Sequence, residues 1–184
     1  MGSIYKVVSK LLANRLRRVI TGIISSQNSF VLDRQILDSI LIANERLDSR
    51  LKAGIPRVLC KLDVEKVFDH VSWDFLMYML QCNGFSEKWR KRILFYISIV
   101  RFSIMINGIP KDFFGSSRGL CQGDPLFLLL FAIVMEAFSR LLDGAVLVEH
   151  ISGFIVGTWT NTPLIETHLL FADNMLIFCG ASIS

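Results

Sequence analysis

Apolar positions along this chain switch between a spacing of three to four residues and short runs that alternate or are continuously apolar. Val8, Leu12, Leu16, Val19 and Ile23 recur at helical spacing, with Lys10, Arg17 and Arg18 directed elsewhere. Ile36, Ile40, Leu41, Leu47 and Leu51 repeat the pattern until Gly54 and Pro56 stop it. From Arg57 the period becomes two: Val58, Cys60 and Leu62 fall on one face, Leu59, Lys61 and Asp63 on the other, a strand ending on an acid. Ser72 is placed to cap a helix from Asp74 to Cys82 closed by Gly84, and Ser86 another from Glu87 to Ile99. Arg101 to Asn107 and Lys111 to Phe114 read as strands joined at Asn107-Gly108, a strong hairpin signal. Asp124-Pro125 opens a helix expected to run to about Leu142 and stop at Gly144. His168 to Ala172 and Met175 to Phe178 form two short apolar strands joined through Asp173-Asn174. Helices and strands mix without a regular βαβ repeat, so the fold class is α+β.

Composition narrows the picture. A chain of 184 residues fits one domain or part of a larger one, and 52% hydrophobic with 20% charged residues excludes disorder. A net charge of +4 is compatible with a polyanionic partner without pointing to one. Cys60, Cys82, Cys121 and Cys179 are scattered with no CxxC pair, against a zinc site. The first residues hold no apolar stretch suited to a signal peptide, so reduced thiols and an intracellular location, nuclear or cytoplasmic, are expected. The most apolar run, Leu126 to Met135, ends at Glu136. A bilayer span needs about 20 such residues, so the run reads as a buried helix with no membrane partner.

Two acids sit at strand ends in apolar surroundings: Asp63, closing RVLCKLD, and Asp173, at the tip of HLLFADNMLIF. Two-metal phosphoryl transfer needs carboxylates from rigid neighbouring strands holding ions about 3.5–4 Å apart, and magnesium suits hard oxygen ligands. Each acid alone has an ordinary alternative, as a turn residue or as a cap for the next element. Spacing leaves both readings open.

The surroundings of these acids resemble a known family. KLDVEKVFDHVSWDFL (61–76) resembles the first catalytic motif of non-LTR (LINE-type) reverse transcriptases, SSRGLCQGDPLFLLLF (116–131) their Gly-Leu-x-Gln-Gly-Asp-Pro-Leu motif, and LLFADNMLIF (169–178) their Phe-Ala-Asp-Asp hairpin. IISSQNSFVLDRQILDSILIANE (23–45) is similar to the fingers segment ahead of the palm. Order and spacing match over nearly the whole chain, and the likeness is greatest to elements abundant in plant genomes.

The resemblance implies the fingers and palm of a right-hand polymerase, an antiparallel palm sheet packed on helices, with residues 1–56 fingers-like, 57–184 mostly palm and the thumb absent. It implies Mg²⁺, or Mn²⁺ in its place, held by Asp63, Asp173 and the Val64 carbonyl, with Asn174 as the second hairpin position. Phe68 would lie under the incoming sugar, Gln122 and Gly123 beside the nascent base pair, and Arg34 on the triphosphate. Lys10, Arg15, Arg17 and Arg18 would track a phosphate backbone, the partners being an RNA template, a DNA primer and deoxynucleoside triphosphates. Ordinary alternatives stand beside these: a core aromatic for Phe68, a plain turn for Gln122-Gly123, solvated surface groups for the cations, and a helix-face salt bridge for Lys66.

The sequence also departs from the family. Asn174 replaces the hairpin's second Asp, Cys121 a usual Arg, Phe127-Leu128 a usual Ser-Pro, Val67 an Ala and Asp33 a Gly. Losing a carboxylate near two divalent cations implies weakened metal binding and slower chemistry, and several changes together imply a drifting copy. Thumb and endonuclease segments, encoded elsewhere, would complete a working enzyme. The alternatives are a non-catalytic nucleic-acid-binding remnant and a translated pseudogene fragment.

Overall fold

In the computed structural model the chain is assembled on one helix, Pro125–Leu147, and local chemistry fixes where that helix begins. Asp124 caps it through its side chain, which accepts the Leu126 N–H at 2.9 Å, and Pro125 occupies the first turn. The residues described are 3–24, 41, 44–45, 47–48, 51–52, 54, 57–63, 65–156, 164–171 and 174–180. The helices are α1 (Ser3–Ile20), α2 (Trp73–Cys82), α3 (Glu87–Ser98) and α4 (Pro125–Leu147). The strands are β1 (Arg57–Asp63), β2 (Arg101–Ile106), β3 (Ile109–Gly115), β4 (Phe154–Val156), β5 (Leu164–Glu166), β6 (His168–Phe171) and β7 (Asn174–Gly180), with a short 3₁₀ turn at Val67–His70. The α+β reading holds.

α4 is apolar nearly all round, the signature of a helix enclosed by its own fold. Leu126, Leu130, Phe131, Ala132 and Ile133 are fully buried, and so are Glu136 and Ser139 halfway along. In length and composition the helix would also suit a bilayer, but most of its apolar window lies inside the fold. The expected stop at Gly144 is overtaken by one turn. The chain instead turns at Glu149, in the left-handed region at φ 59°, with its N–H on the Val146 carbonyl and the His150 N–H on Ala145, both at 2.9 Å. This is a Schellman closure in which a glutamate holds the place that glycine usually takes.

α1 lies along α4, but on a different stripe from the one expected. Leu12 and Leu16 are buried as predicted, joined by Ala13, Ile20 and Ile24, whereas Val8 and Val19 are exposed. Both stripes have helical spacing, so periodicity cannot choose between them. Ser9, buried on this face, decides the roll of the helix by donating to the Asp124 carboxylate. α2 and α3 start at Ser72 and Ser86 as expected, whose hydroxyls accept the Phe75 and Trp89 amides at 3.3 and 3.4 Å. Of the second predicted helix, Leu41, Leu47 and Leu51 are helical, while Ile36 and Ile40 lie outside the described residues. Leu47 packs with Leu169, Leu176 and Phe178.

The main sheet is antiparallel in the order β1-β7-β6. β6 rests on α4, where His168 bonds Ser139 through Nε2 and Thr167 through Nδ1, the latter at 2.8 Å. β1 pairs on one side only among the described residues, and Val58, Leu59 and Leu62 stay exposed, so neither face of this strand is closed off. β2 and β3 form the predicted hairpin, with Asn107 and Gly108 both at positive φ (51° and 79°), the backbone of a type I′ turn. β4 and β5 pair as a small unit that the sequence pattern did not predict.

Leu130→Ala is expected to lower unfolding free energy by about 2–5 kcal/mol, as for other buried leucines. Phe95→Ala, at an exposed position, should stay within about 0.5 kcal/mol of the parent. Urea denaturation of the two variants checks the placement of the core, and equal losses would contradict it.

Candidate active site

The site starts from the pairing of β1 with β7. The register runs from Arg57 opposite Gly180 to Asp63 opposite Asn174, so the acid closing β1 faces the residue opening β7. Directly opposed residues in antiparallel strands have Cα atoms about 4.5–5.5 Å apart. Residues 63 and 174 lie 111 positions apart in sequence and are therefore neighbours in space. Asp63 is exposed and Asn174 half-buried. Asp173 immediately precedes Asn174 in the chain; it lies outside the described residues, as do Val64, Asp33 and Arg34. Among the described residues no three His, Cys, Asp or Glu side chains gather as a metal site.

Beyond β1 the chain bends sharply. Lys66 adopts the left-handed conformation (φ 54°) and its exposed ammonium reaches the neighbouring Glu65 at 3.7 Å. It sits in a turn, so the helix-face salt bridge does not form. The 3₁₀ turn then drives Phe68 inward, where it is 6% exposed and stacks on Phe131 with ring centroids 4.1 Å apart.

This first segment is zipped to the loop ahead of α4. The Leu120 N–H donates to the Phe68 carbonyl and the Gly119 N–H to that of Val71, both at 2.8 Å. Trp73 Nε1 donates to the Gly119 carbonyl at 2.8 Å, and Ser72 bridges Arg118. Gly119 lies so close that a Cβ there would stand 2.9 Å from the Asp69 carbonyl oxygen, and its φ is +87°. Only glycine meets both demands.

Gln122 and Gly123 come directly after this junction, both exposed. Gly123 has φ +89°, and among the described residues other than its chain neighbours no atom lies within 4 Å of where a Cβ would be. Gln122 lines a cavity of about 420 Å³ together with Asp69, Trp73, Phe102, Phe114 and Arg118. Cys121 is half-buried there, and burial raises its thiol pKa, which makes it a poor nucleophile. Phe127 is buried against the edge of Tyr96 at 5.8 Å, so the core absorbs this departure from the family pattern.

Lys10, Arg15, Arg17 and Arg18 are all exposed on α1. Their spacing divides them into two stripes, Lys10 with Arg17 and Arg15 with Arg18, which flank the buried face instead of forming one track.

These motifs, held in one structure, match a known family. The sequence profile of reverse transcriptases (RNA-dependent DNA polymerases) matches residues 1–182. The chain belongs to the reverse transcriptase family. It is similar to a 149 kDa protein of transposon TX1 from Xenopus laevis, 27% identical over 139 residues, covering 75% of this chain and 11% of that protein. A mitochondrial protein of Arabidopsis thaliana is 43% identical over 70 residues, 38% of this chain and 55% of that protein. The chain thus spans about a tenth of the first relative's length and about half of the second's.

Sequence reading passed over Gly119, Trp73 and the Ser9–Tyr96–Asp124 cluster. Gly119 was visible only as part of a motif string, because its reason for being glycine is the backbone of Asp69, fifty residues away. Ser9 and Tyr96 gave no local signal. Gly119→Ala is expected to cost more stability than Gly123→Ala. Both carry backbone strain of about 1–3 kcal/mol, but only Gly119 must also displace Asp69. Denaturation midpoints compare them, and an unchanged midpoint for Gly119→Ala would refute the zipped junction.

Proposed function

We propose that this chain is the fingers and palm of a retrotransposon RNA-directed DNA polymerase, residues 1–56 fingers-like and 57–184 mostly palm. It adds deoxynucleotides to a DNA primer on an RNA template, inside the cell. The observation that carries the reading is the register that sets Asp63 opposite Asn174, the residue after Asp173. In this reading Asp63, Asp173 and the Val64 carbonyl supply hard oxygen ligands at adjoining strand ends, a donor set suited to Mg²⁺ or Mn²⁺. The exposed end of β1 fits that role, since a carboxylate there is open to an ion and to a nucleotide. Two such ions, when bound, supply charge neutralisation and alignment for in-line phosphoryl transfer.

The chain's own residues position the reactants. Gly123 leaves room for a base pair to approach the backbone, with Gln122 beside it. Phe68, fixed in the core by Phe131, presents a rigid floor under the sugar. Arg34 holds the triphosphate through bidentate hydrogen bonds. The cations of α1 hold template or primer phosphates without reading sequence.

Asn174 favours an impaired polymerase. An amide in the register position facing Asp63 removes one negative charge from a site that must balance two divalent cations. Each 1.36 kcal/mol added to the barrier slows the reaction about tenfold. A second reading, a nucleic-acid-binding remnant without turnover, draws on the same residue together with the exposed basic α1.

Primer extension with Mg²⁺ and with Mn²⁺ tests both. The polymerase reading expects weak extension that Asp63→Ala abolishes and that Asn174→Asp raises by about tenfold or more. No product from the Asn174→Asp chain with either metal, alongside salt-dependent binding of primer–template, would leave only the remnant.

A further inference from the structure

Asp124 carries a device that the motif resemblance does not account for. Its carboxylate is 6% exposed and accepts from three donors on three helices: Ser9 of α1, the Tyr96 hydroxyl of α3 at 2.9 Å, and the Leu126 amide of α4 at 2.9 Å. An ionised carboxylate only accepts, and here both oxygens are engaged by groups that can only donate to it. Tyr5 stacks on Tyr96 at 4.4 Å and fixes its ring. Burial pushes the Tyr5 phenol up to about 12 and raises that of Tyr96 too, so Tyr96 keeps its proton and remains a donor at any working pH.

The position of this cluster gives it a consequence. Leu120 is fixed by its amide to Phe68, and Asp124 by the three helices. Between them lie only Cys121, Gln122 and Gly123, which form one tight turn. A three-residue span pinned at both ends takes its conformation from its anchors.

We propose that Asp124 is a positioning residue: by joining α1 and α3 to the start of α4, it holds Gln122 and Gly123 where an incoming nucleotide meets them. The inference rests on the polymerase reading for its substrate, a deoxynucleoside triphosphate, and on the bonds above for its geometry. Disturbing Ser9 or Tyr96, which have no place in the proposed chemistry, therefore weakens nucleotide capture from a distance. Since Gln122 and Gly123 meet the nucleotide before and during reaction alike, the loss falls on KM and spares kcat.

The test takes Asp124→Asn, Ser9→Ala and Tyr96→Phe in the chain carrying Asn174→Asp. Leu142→Ala, near the far end of α4, serves as a control for simple destabilisation. Each of the three is expected to raise the nucleotide KM about tenfold with kcat within about twofold, while Leu142→Ala leaves KM unchanged. KM shifts in Leu142→Ala equal to the others, or losses confined to kcat, would overturn the proposal. Hydrogen exchange separates this from the polymerase reading. Asp124→Asn should speed exchange at the Leu120 and Leu126 amides about tenfold relative to α2, whether or not the parent extends a primer. Unchanged exchange at both amides would sink the anchoring itself. Absence of extension with faster exchange would instead remove the substrate and keep the anchor.

Discussion

The antiparallel pairing of β1 with β7 is the constraint on which every functional statement depends. Side chains alternate along a strand, so a slip of one residue in that register would send Asp63 to the opposite face from the groups it is proposed to join. Seven consecutive pairs, Arg57–Gly180 through Asp63–Asn174, set the alignment. The register is also held from the other side. β6 pairs with β7 and is tied to α4 through His168 and Ser139, so the hairpin cannot slide without disturbing a buried polar contact. Among the described residues β1 pairs on one side only and leaves Val58, Leu59 and Leu62 exposed.

A second constraint joins the segment after β1 to the loop before α4. Two backbone hydrogen bonds, the Trp73 indole and the absence of a side chain at Gly119 bring residues 67–73 against 118–120. Phe68 and Phe131 stack beneath this seam. The buried Asp124 cluster then ties the same loop to α1 and α3. Elements far apart in sequence thus converge on one short stretch, Cys121 to Gly123. Gln122 and Gly123, the turn within that stretch, are exposed.

Much of this was legible because local chemistry and tertiary structure agree. Ser72, Ser86, Asp124-Pro125 and Asn107-Gly108 each name a boundary through a mechanism confined to a few residues, and all four appear as expected. The failures have the opposite character. The face that α1 buries depends on Ser9 meeting a residue 115 positions away, which no periodicity encodes. The end of α4 depends on a glutamate entering the left-handed region, against the preference that pointed to Gly144. Asp124 caps α4, as its place before Pro125 implies, but its partners on α1 and α3 leave no local signal. The motifs signalled family membership, while their separate roles rest on geometry around residues 64 and 173 that lies outside the described parts.

The central claim is that Asp63 and Asp173 share divalent ions at adjoining strand ends, and anomalous diffraction from crystals grown with Mn²⁺ and a nucleotide tests it most directly. Manganese peaks are expected about 3.5–4 Å apart, with carboxylate oxygens of both residues in their coordination shells. Manganese bound elsewhere, or Asp63 and Asp173 with no ion in common, would contradict it.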